Sequence, residues 1–393
     1  MYYFPPISLF LAVVTMPVCI KLAHRWGLFD MPDQDRKLHG RQVPFTGGLS
    51  LIFAFLTTSI ISFLFPVEEI WQTLHPADSP IFVYVLEAGA IILVLGIVDD
   101  LTDVTFQRKF IFQFLAAFFV ILGAIRGDVY PHVFGVTESS VVYNSIGTVV
   151  TVLWIVGLTN AVNMIDGMDG LAAGTSLISV TAFGILALLW GDPVLASLCF
   201  ILGGALIGFL LFNFHPARVF MGDTGSMFLG FTLGVLGWLL VDRGPMKLTV
   251  FFVPIIMLGL PISDTLLAFF RRIIKKQNPF TGDRFHIHHM MKSRFGLSSQ
   301  ATVLILYGIA LIYAGAGLCV ALLPEVFGWL LLGVLVIAQG YFFHLLGYVR
   351  LVFQSEPDDL LLEAPLVKTN GVHVKPMNGS QASKPSRSAS REH

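Results

Sequence analysis

The chain of 393 residues is 55% hydrophobic and only 12% charged, and its mean hydropathy is +0.78. These values lie outside the range of soluble globular domains and of disordered chains, and the net charge of −1 excludes a basic nucleic-acid-binding protein. Three cysteines, each in an apolar run, indicate neither a disulfide framework nor a metal knuckle. The composition therefore predicts an integral membrane protein whose partner is the lipid bilayer and not a nucleic acid.

Eleven apolar segments have the length of a transmembrane helix, which needs about 20 apolar residues. They cover residues 2–20, 46–65, 81–98, 109–125, 145–161, 171–190, 194–212, 225–241, 248–270, 301–322 and 326–349. The first has no basic start and no small-residue cleavage site, so we expect a retained helix and not a signal peptide. The sequence predicts an all-α, polytopic membrane protein with about eleven transmembrane helices.

Basic residues are unevenly distributed among the connections between these segments. All but three of the 24 Lys and Arg residues fall on one side of the predicted membrane, the exceptions being Arg126, Arg243 and Lys247. By the positive-inside rule the rich side is cytoplasmic, which places the N-terminus outside and the C-terminus in the cytoplasm. We predict a membrane domain over residues 1–350 and, from its Ser, Pro and Lys content, a disordered cytoplasmic tail over residues 351–393.

Polar residues collect in five places, all next to predicted cytoplasmic ends of the spans. These are the pair Asp99 and Asp100, the run from Asn160 to Asp169, the segment from Asn213 to Asp223, Asp264, and the segment from Arg271 to His289. Polar side chains are costly near a bilayer and therefore mark function. Their common side predicts one composite site at the inner membrane surface.

The two runs of acids have different patterns. Asp99 and Asp100 are adjacent, and two neighbouring carboxylates favour a nearby cation or a carboxyl that acts as a base; a solvated helix end is the alternative. The stretch NAVNMIDGMDGLAAG has polar residues at every third position, namely Asn160, Asn163, Asp166 and Asp169. They would lie on neighbouring faces of a helix that Gly167 loosens, and could hold a hard cation or hydrogen-bond a base and a sugar. A polar turn before the next span is the alternative.

Two further motifs point to anion and metal binding. In NFHPARVFMGDTGS, Asp223 begins a span whose first N–H groups would face an anion, and a carboxylate there suits Mg²⁺. Phe220 could stack on a planar base, with ordinary packing as the alternative.

The stretch PFTGDRFHIHHM places His286, His288 and His289 within four residues, close after Arg271 and Arg272. Their spacing is not that of a zinc site. We expect imidazolium and guanidinium groups that bind a diphosphate. A positive-inside cluster would explain the arginines but not the histidines.

Taken together, these motifs resemble those of the polyprenyl-phosphate N-acetylhexosamine-1-phosphate transferases. The matching stretches are DMPDQDRKLHGRQVPFTGG, VDD, NAVNMIDGMDGLAAG, NFHPARVFMGDTGS, PISD and GDRFHIHH, in that order over about residues 20–295. The HIHH form is similar to that of the bacterial enzymes that use UDP-N-acetylglucosamine. The three consecutive histidines of the phospho-N-acetylmuramoyl-pentapeptide transferases differ from it.

The resemblance implies a reaction, a cofactor and a location. UDP-N-acetylglucosamine and undecaprenyl phosphate would give undecaprenyl-diphospho-N-acetylglucosamine and UMP, with Mg²⁺, or alternatively Mn²⁺, as the cofactor. The enzyme would be a multi-pass protein of the bacterial inner membrane with its active site facing the cytoplasm, where it would begin a cell-envelope glycan. A homodimer is compatible with the resemblance, and the sequence leaves open which glycan pathway uses the product.

The same resemblance implies roles for individual residues. Catalytic roles fall on Asp99, Asp100 and Lys109, and metal binding on Asp223 with Asn163 as its companion. The uridine pocket falls on Phe220, Asp166, Gly167 and Asp169, with Asn160 as a further substrate-binding residue. The diphosphate and sugar contacts fall on Arg271 or Arg272 with His286, His288 and His289. Lys37 and His39 lie in a matching early motif whose role in substrate binding is not defined.

Two other classes of protein carry acids within a membrane. A cation- or proton-coupled transporter needs carboxylates near the middle of the bilayer, and only Asp264 is placed deeply enough. An intramembrane aspartyl protease needs a Gly-x-Gly-Asp turn, and Phe220 stands where its first Gly is required. The transporter therefore remains the alternative to the transferase, and within the transferase reading both single displacement and a covalent phospho-enzyme remain open.

Overall fold

The computed structural model describes residues 3–30, 42–65, 78–127, 141–278 and 285–348. Lys37, His39 and the segment 351–393 lie outside these ranges, so what the sequence predicts for them stays a prediction. The described chain is helical apart from its loops and one antiparallel pair of short strands, β1 (Phe29–Asp30) and β2 (Val43–Pro44).

The helices follow the predicted apolar segments closely. In chain order they are α1 (Phe4–Trp26), α2 (Gly47–Leu64), α3 (Asp78–Thr102), α4 (Phe106–Arg126), α5 (Val141–Ile165), α6 (Leu171–Leu189), α7 (Pro193–Asn213), α8 (Gly222–Asp242), α9 (Leu248–Met257), α10 (Gly259–Ile274), α11 (Ile287–Phe295), α12 (Ser299–Leu322) and α13 (Glu325–Leu345). Ten of them are long and apolar enough to cross a bilayer, and α9 and α10 form a bent pair that makes up to eleven if it counts as one span. The all-α fold with about eleven spans is thus confirmed, and the chain is a multi-pass membrane protein.

The ninth span differs from its prediction. The sequence indicated one helix over residues 248–270, whereas α9 and α10 meet at an angle of 82°. Pro261 has no N–H to donate to the carbonyl of Met257, and its ring clashes with that carbonyl. A straight helix therefore cannot continue through residue 258, and the chain begins a new helix at Gly259.

The central element is α8, in which every residue from Thr224 to Leu240 is buried. A helix that is apolar on all sides belongs inside a bundle, and α3 and α5 pack along it. Glycines permit close approach: a Cβ on Gly96 would lie 2.4 Å from the Cα of Thr224, and one on Gly230 would lie 2.8 Å from the Cα of Thr159.

The segment that leads into α8 is held by the backbone of two other elements. The N–H groups of Gly47 and Gly48, at the start of α2, donate to the carbonyls of Phe220 and Met221 at 3.0 and 3.1 Å. The Phe220 N–H in turn donates to the Pro44 carbonyl of β2 at 2.7 Å. These bonds use donors that a helix start leaves unpaired, and they fix the beginning of α8 at the end of the bundle where α3 and α5 finish.

Candidate active site

Four side chains from four helices meet at this end of the bundle: Asp99 of α3, Lys109 of α4, Asn163 of α5 and Asp223 of α8. We refer to them as the acid–lysine centre. Lys109 Nζ forms a salt bridge with Asp99 Oδ2 and lies 3.5 Å from Asp223 Oδ2. Asn163 Nδ2 donates to Asp223 Oδ1 at 2.6 Å and to Ser226 Oγ at 2.8 Å. The centre therefore holds one cationic group between two carboxylates.

A short turn explains why Asp99 and Lys109 face each other. The Val104 N–H donates to Asp99 Oδ1 at 2.9 Å, and Asp103 adopts a left-handed backbone with φ of 51°. The chain thus reverses directly after α3, and α4 begins at Phe106. Lys109, on the first turn of α4, is brought back to Asp99, which is 3% exposed.

Asp100 points to a different partner from its neighbour. Its Oδ1 accepts a hydrogen bond from the Asp223 N–H at 2.7 Å, and its Oδ2 accepts from the Thr224 N–H at 3.0 Å and the Thr224 hydroxyl at 2.5 Å. The sequence predicted that the first N–H groups of α8 would face a ligand anion. That expectation is wrong for these two groups, because the carboxylate of Asp100 already occupies them.

Asn160 lies one turn before Asn163 on α5 and pairs with a residue that the sequence did not single out. Its Nδ2 donates to Gln113 Oε1 at 2.7 Å and to the Val156 carbonyl at 2.8 Å, and Gln113 Nε2 returns a long bond of 3.4 Å. This pair of amides, of which Gln113 is buried and Asn160 half-buried, joins α4 to α5 next to Lys109. In this structure the amide of Asn160 joins the two helices, and the substrate-binding role that the resemblance implies for it stays a prediction.

Asp166 and Asp169, the acids of the stretch NAVNMIDGMDGLAAG, lie in a loop because α5 ends at Ile165. The predicted arrangement on neighbouring faces of one helix therefore does not extend to these two acids. Asp166 is near enough to the acid–lysine centre to sense its charges: burial, together with the negative charges of Asp223, Asp100 and Asp169, raises the pKa of Asp166 to about 7.

Asp169 and the following glycine attach this loop to the chain after α7. Asp169 Oδ2 lies 2.8 Å from His215 Nδ1 and accepts a bond from the Ala217 N–H at 3.0 Å. Gly170 has a φ of 77°, and its N–H donates to Asn213 Oδ1 at 2.9 Å. Hydrogen bonds therefore join the stretch NAVNMIDGMDGLAAG to the stretch NFHPARVFMGDTGS.

The histidine motif is anchored by Asp264, which lies on α10 and is fully buried. His286 Nδ1 lies 2.7 Å from Asp264 Oδ2, and the Ile287 N–H donates to Asp264 Oδ1 at 2.6 Å. Asp264 thus satisfies the first N–H of α11 and orients His286. The sequence noted Asp264 as a deep acid but gave it no role.

His288 contacts the loop that contains Asp166 and Asp169. A Cβ on Gly167 would lie 2.6 Å from His288 Nε2, so the ring packs directly over this glycine. The ring is 2% exposed, and burial, followed by the charge of His289, lowers the pKa of His288 to about 3. The sequence predicted imidazolium groups here, and for His288 the structure corrects this to a neutral imidazole near pH 7. His289 packs beside it, with the ring centroids 4.3 Å apart.

Arg271, Arg272 and Phe220 are the remaining site residues that the resemblance implies and the structure describes. Arg271 and Arg272, on the last turn of α10, are each 4% exposed, and the Arg271 guanidinium lies 4.6 Å from the ring centroid of Phe285. Phe220 is half-buried and lies one turn before Asp223, held through its backbone as described above. The Arg271 guanidinium thus lies next to the histidine motif through Phe285, and Phe220 lies next to the start of α8.

The acid–lysine centre provides part of the ligand set that a metal ion requires. Among the described residues, His, Cys, Asp and Glu form no cluster of three or more that could hold a metal alone. Mg²⁺ commonly uses one or two carboxylates and completes its shell with water and substrate phosphate. Asp99 and Asp223 already share a cationic group and fit that pattern. Asn163 presents its amide nitrogen to Asp223, so as a ligand it would have to turn its oxygen toward the ion.

One residue of the site, Gln113, lies in no sequence motif that would have identified it. Thr224 and Ser226 lie within the stretch NFHPARVFMGDTGS, but the sequence does not show that their partners are on α3 and α5. Asn213 and Asp264 were visible as polar residues in apolar surroundings, which is the signal that could have identified them.

Comparison with known proteins gives the class of this site. The sequence profile of glycosyl transferase family 4 matches residues 82–241, which include the acid–lysine centre. A probable undecaprenyl-phosphate N-acetylglucosaminyl 1-phosphate transferase of Bacillus subtilis (strain 168) is 35% identical over 309 residues, covering 78% of this chain and 81% of its own. A decaprenyl-phosphate N-acetylglucosaminephosphotransferase of Mycolicibacterium smegmatis is 31% identical over 311 residues, or 73% of each chain.

A third relative has a similar level of identity. The undecaprenyl-phosphate alpha-N-acetylglucosaminyl 1-phosphate transferase of Thermotoga maritima is 31% identical over 296 residues, or 75% of this chain and 83% of its own.

Fold, site and comparisons together define a polytopic membrane enzyme of the phosphoglycosyl transferase class. The chain belongs to glycosyl transferase family 4, which confirms the resemblance seen in its motifs and leaves the transporter alternative without support.

Proposed function

We propose that the enzyme transfers N-acetylglucosamine-1-phosphate from UDP-N-acetylglucosamine to undecaprenyl phosphate and releases UMP. The relatives named above act on polyprenyl phosphates and transfer this sugar phosphate. The observation that carries the proposal is the acid–lysine centre, where Lys109 joins Asp99 and Asp223 at the ends of their helices. At a membrane surface, such a centre is accessible both to a lipid phosphate and to a soluble nucleotide sugar.

The bond changes are those of a phosphoryl transfer. An oxygen of the lipid phosphate attacks the phosphorus that carries the sugar, a new P–O–P bond forms, and the bond from that phosphorus to the UMP oxygen breaks. Such reactions depend mainly on positioning and on neutralising the charge of the phosphates. Lys109 supplies positive charge, and a lipid phosphate that is already ionised near neutral pH needs little help from Asp99 as a base.

The proposal includes Mg²⁺ as the cofactor, with Mn²⁺ as a substitute. Asp223 and Asp99 would hold the ion, and Asn163 would orient Asp223 or contribute its oxygen. The ion would neutralise the diphosphate of the donor.

The nucleotide sugar is assigned to the other half of the site. Asp166, Asp169, Gly167 and Phe220 would bind the uridine, which needs hydrogen-bond acceptors, close backbone approach and an aromatic face. The arginines of α10 and the histidines of α11 would bind the diphosphate and sugar. Because His288 is neutral, we expect it to contribute a hydrogen bond and the arginines to contribute the charge. The proposed location is the cytoplasmic face of a bacterial inner membrane, at the first membrane step of a cell-envelope glycan.

The test measures UMP released by the purified enzyme from UDP-N-acetylglucosamine and undecaprenyl phosphate. Asp99→Asn and Asp223→Asn should each lower the rate by about a hundredfold or more, because each removes charge from the reacting centre. EDTA should stop the wild-type reaction and added Mg²⁺ should restore it. The matched control is Asp103→Asn, which changes an exposed acid on the same turn.

Three outcomes would contradict parts of the proposal. Near-normal rates in either active-site variant would remove that residue from the mechanism, and turnover that ignores EDTA would remove the metal. UMP released without acceptor lipid would favour a covalent phospho-enzyme over single displacement.

A further inference from the structure

Asp99 and Asp100 are adjacent in sequence, but their carboxylates serve different partners. Asp99 faces Lys109 within the acid–lysine centre. Asp100 faces the first turn of α8, where all three of its partners are donors: the Asp223 N–H, the Thr224 N–H and the Thr224 hydroxyl. The pair therefore divides into one acid that faces the reacting centre and one that faces the protein backbone.

The first turn of α8 lacks a cap from its own chain. Its N-cap residue is Met221, whose side chain makes no capping hydrogen bond. An N-cap side chain normally accepts from the second or third N–H of the helix, and in α8 these belong to Asp223 and Thr224. Asp100 accepts both bonds from a neighbouring helix and thus replaces the missing cap.

The backbone around the cap is shaped to admit this carboxylate. Gly222, the first residue of α8, has a φ of 70°, and a Cβ on it would lie 2.8 Å from Asp100 Oδ2. A larger residue would push the carboxylate away from the helix start. The positive φ of Gly222 and the space that the Asp100 carboxylate occupies therefore both favour glycine at this position.

We propose that Asp100 is a positioning residue that caps α8 and thereby fixes Asp223, and that it contacts neither substrate nor metal. The N–H that it binds at 2.7 Å belongs to the residue whose side chain meets Lys109 and Asn163. Loss of the cap would leave two N–H groups of a buried helix start unsatisfied and would displace Asp223 from the centre. This inference rests on the proposed function only for its activity measurements.

A substitution series at Asp100 distinguishes a cap from a base or a ligand. At position 100, Asn keeps one oxygen that can accept from the Asp223 N–H but has an amide nitrogen, which only donates, in place of the second oxygen, whereas Ala keeps no acceptor. A general base or a metal ligand requires the carboxylate, so both replacements would then be equally inactive. For a cap, we expect Asp100→Asn to keep the rate of UMP release within about tenfold of wild type and Asp100→Ala to fall about tenfold or more below that.

Thr224 provides an independent variant, since its hydroxyl binds Asp100 from within the cap. Thr224→Val should lower activity in the same way, and combining it with Asp100→Ala should add little, because both changes disrupt one interaction. Thr224→Ser, which keeps the hydroxyl, should restore most of the rate. The matched control is Thr102→Val, whose hydroxyl donates to the Val98 carbonyl of its own helix.

Two measurements accompany the rates and separate this inference from the proposed function. The Mg²⁺ concentration for half-maximal rate should rise in Asp100→Ala, because a displaced Asp223 binds the ion less well. The unfolding temperature should follow the order Asp, Asn, Ala even if the wild-type enzyme released no UMP, a result that would defeat the proposed function alone.

The inference is overturned if Asn and Ala at position 100 are equally inactive while their unfolding temperatures match the wild type. It is also overturned if the effects of Thr224→Val and Asp100→Ala on activity multiply in full. A third contradicting result is an Asp100→Ala enzyme with normal rate and normal Mg²⁺ dependence.

Discussion

Asp166 lowers the free energy of unfolding when it is ionised, because it is buried among other acids. It lies one position beyond the end of α5, and burial and three neighbouring acids raise its pKa to about 7 from a usual value of 3.8. Between these two pH values the folded protein binds more protons than the unfolded chain. The free energy of unfolding therefore decreases as the pH rises from about 4 to about 7, and the cost is fully present above pH 7.

Asp166→Asn tests this cost, because an amide does not titrate. At about pH 8 the variant should unfold at a higher temperature than the wild type, and the difference should be smaller at about pH 5 and approach zero only below about pH 4. Groups distant from Asp166 titrate alike in both proteins, so the comparison reports on Asp166 and on its interaction with the three neighbouring acids. Equal unfolding temperatures at both pH values would show that Asp166 is not under this strain. Binding of UDP-N-acetylglucosamine would be expected to weaken in the same variant.

The residues of the site were predictable as types, but their partners were not. Motifs identified Asp99, Asp100 and His288 because polar groups are rare in an apolar chain. Which oxygen of Asp100 meets which N–H depends on how α3 docks on α8, and the neutral state of His288 depends on burial against Gly167. Neither is encoded in local spacing.

At the scale of helices, close packing against α8 sets the geometry of the centre. Gly96 of α3 approaches Thr224 so closely that a Cβ would lie 2.4 Å from its Cα and 3.2 Å from the Asp223 carbonyl. Both contacts are with backbone, which cannot move aside as a flexible side chain can. The position of Asp223 thus depends on the absence of a side chain three residues before Asp99.

Gly96→Ala should therefore lower both stability and the rate of UMP release. Overpacking of this kind costs about 1–3 kcal/mol, and it would displace the capped turn that carries Asp223. The matched control is Gly308→Ala on α12, where a Cβ meets no atom within 4 Å. That change should be neutral or slightly stabilising, because Ala favours a helix over Gly. Equal effects of the two substitutions would show that the approach of α3 to α8 is not tight.

Helix number and type followed from hydropathy, whereas helix breaks and contacts did not. A bilayer imposes a minimum apolar length, so ten straight spans were recognisable without tertiary information. The bend between α9 and α10 was missed because the segment is long and largely apolar, and its two prolines look alike in the sequence although α9 accommodates Pro254 and the bend lies at Pro261. The trans cap of α8 also left no helix-start signal, since the capping residue is more than a hundred positions away.

For the whole molecule, the bundle brings every described motif to one end. Asp223 begins α8, Asp99 lies near the end of α3, and Arg271 lies near the end of α10. The opposite end carries the salt bridge between Arg243 and Asp192, at 3.1 Å. The basic residues predict that the site end is cytoplasmic, because cytoplasmic loops retain Lys and Arg.

Cysteine labelling in intact cells tests this orientation. In a chain whose three native cysteines are replaced by Ala, Met246→Cys should react with a membrane-impermeant maleimide, because residue 246 is exposed in the loop between α8 and α9. Gln277→Cys, exposed after α10 at the site end, should react only once the inner membrane is permeabilised. Release of UMP by both variants would show that they fold. The reverse labelling pattern would place the site outside the cell, where a cytoplasmic nucleotide sugar does not reach it, and would defeat the proposed location together with the predicted sidedness.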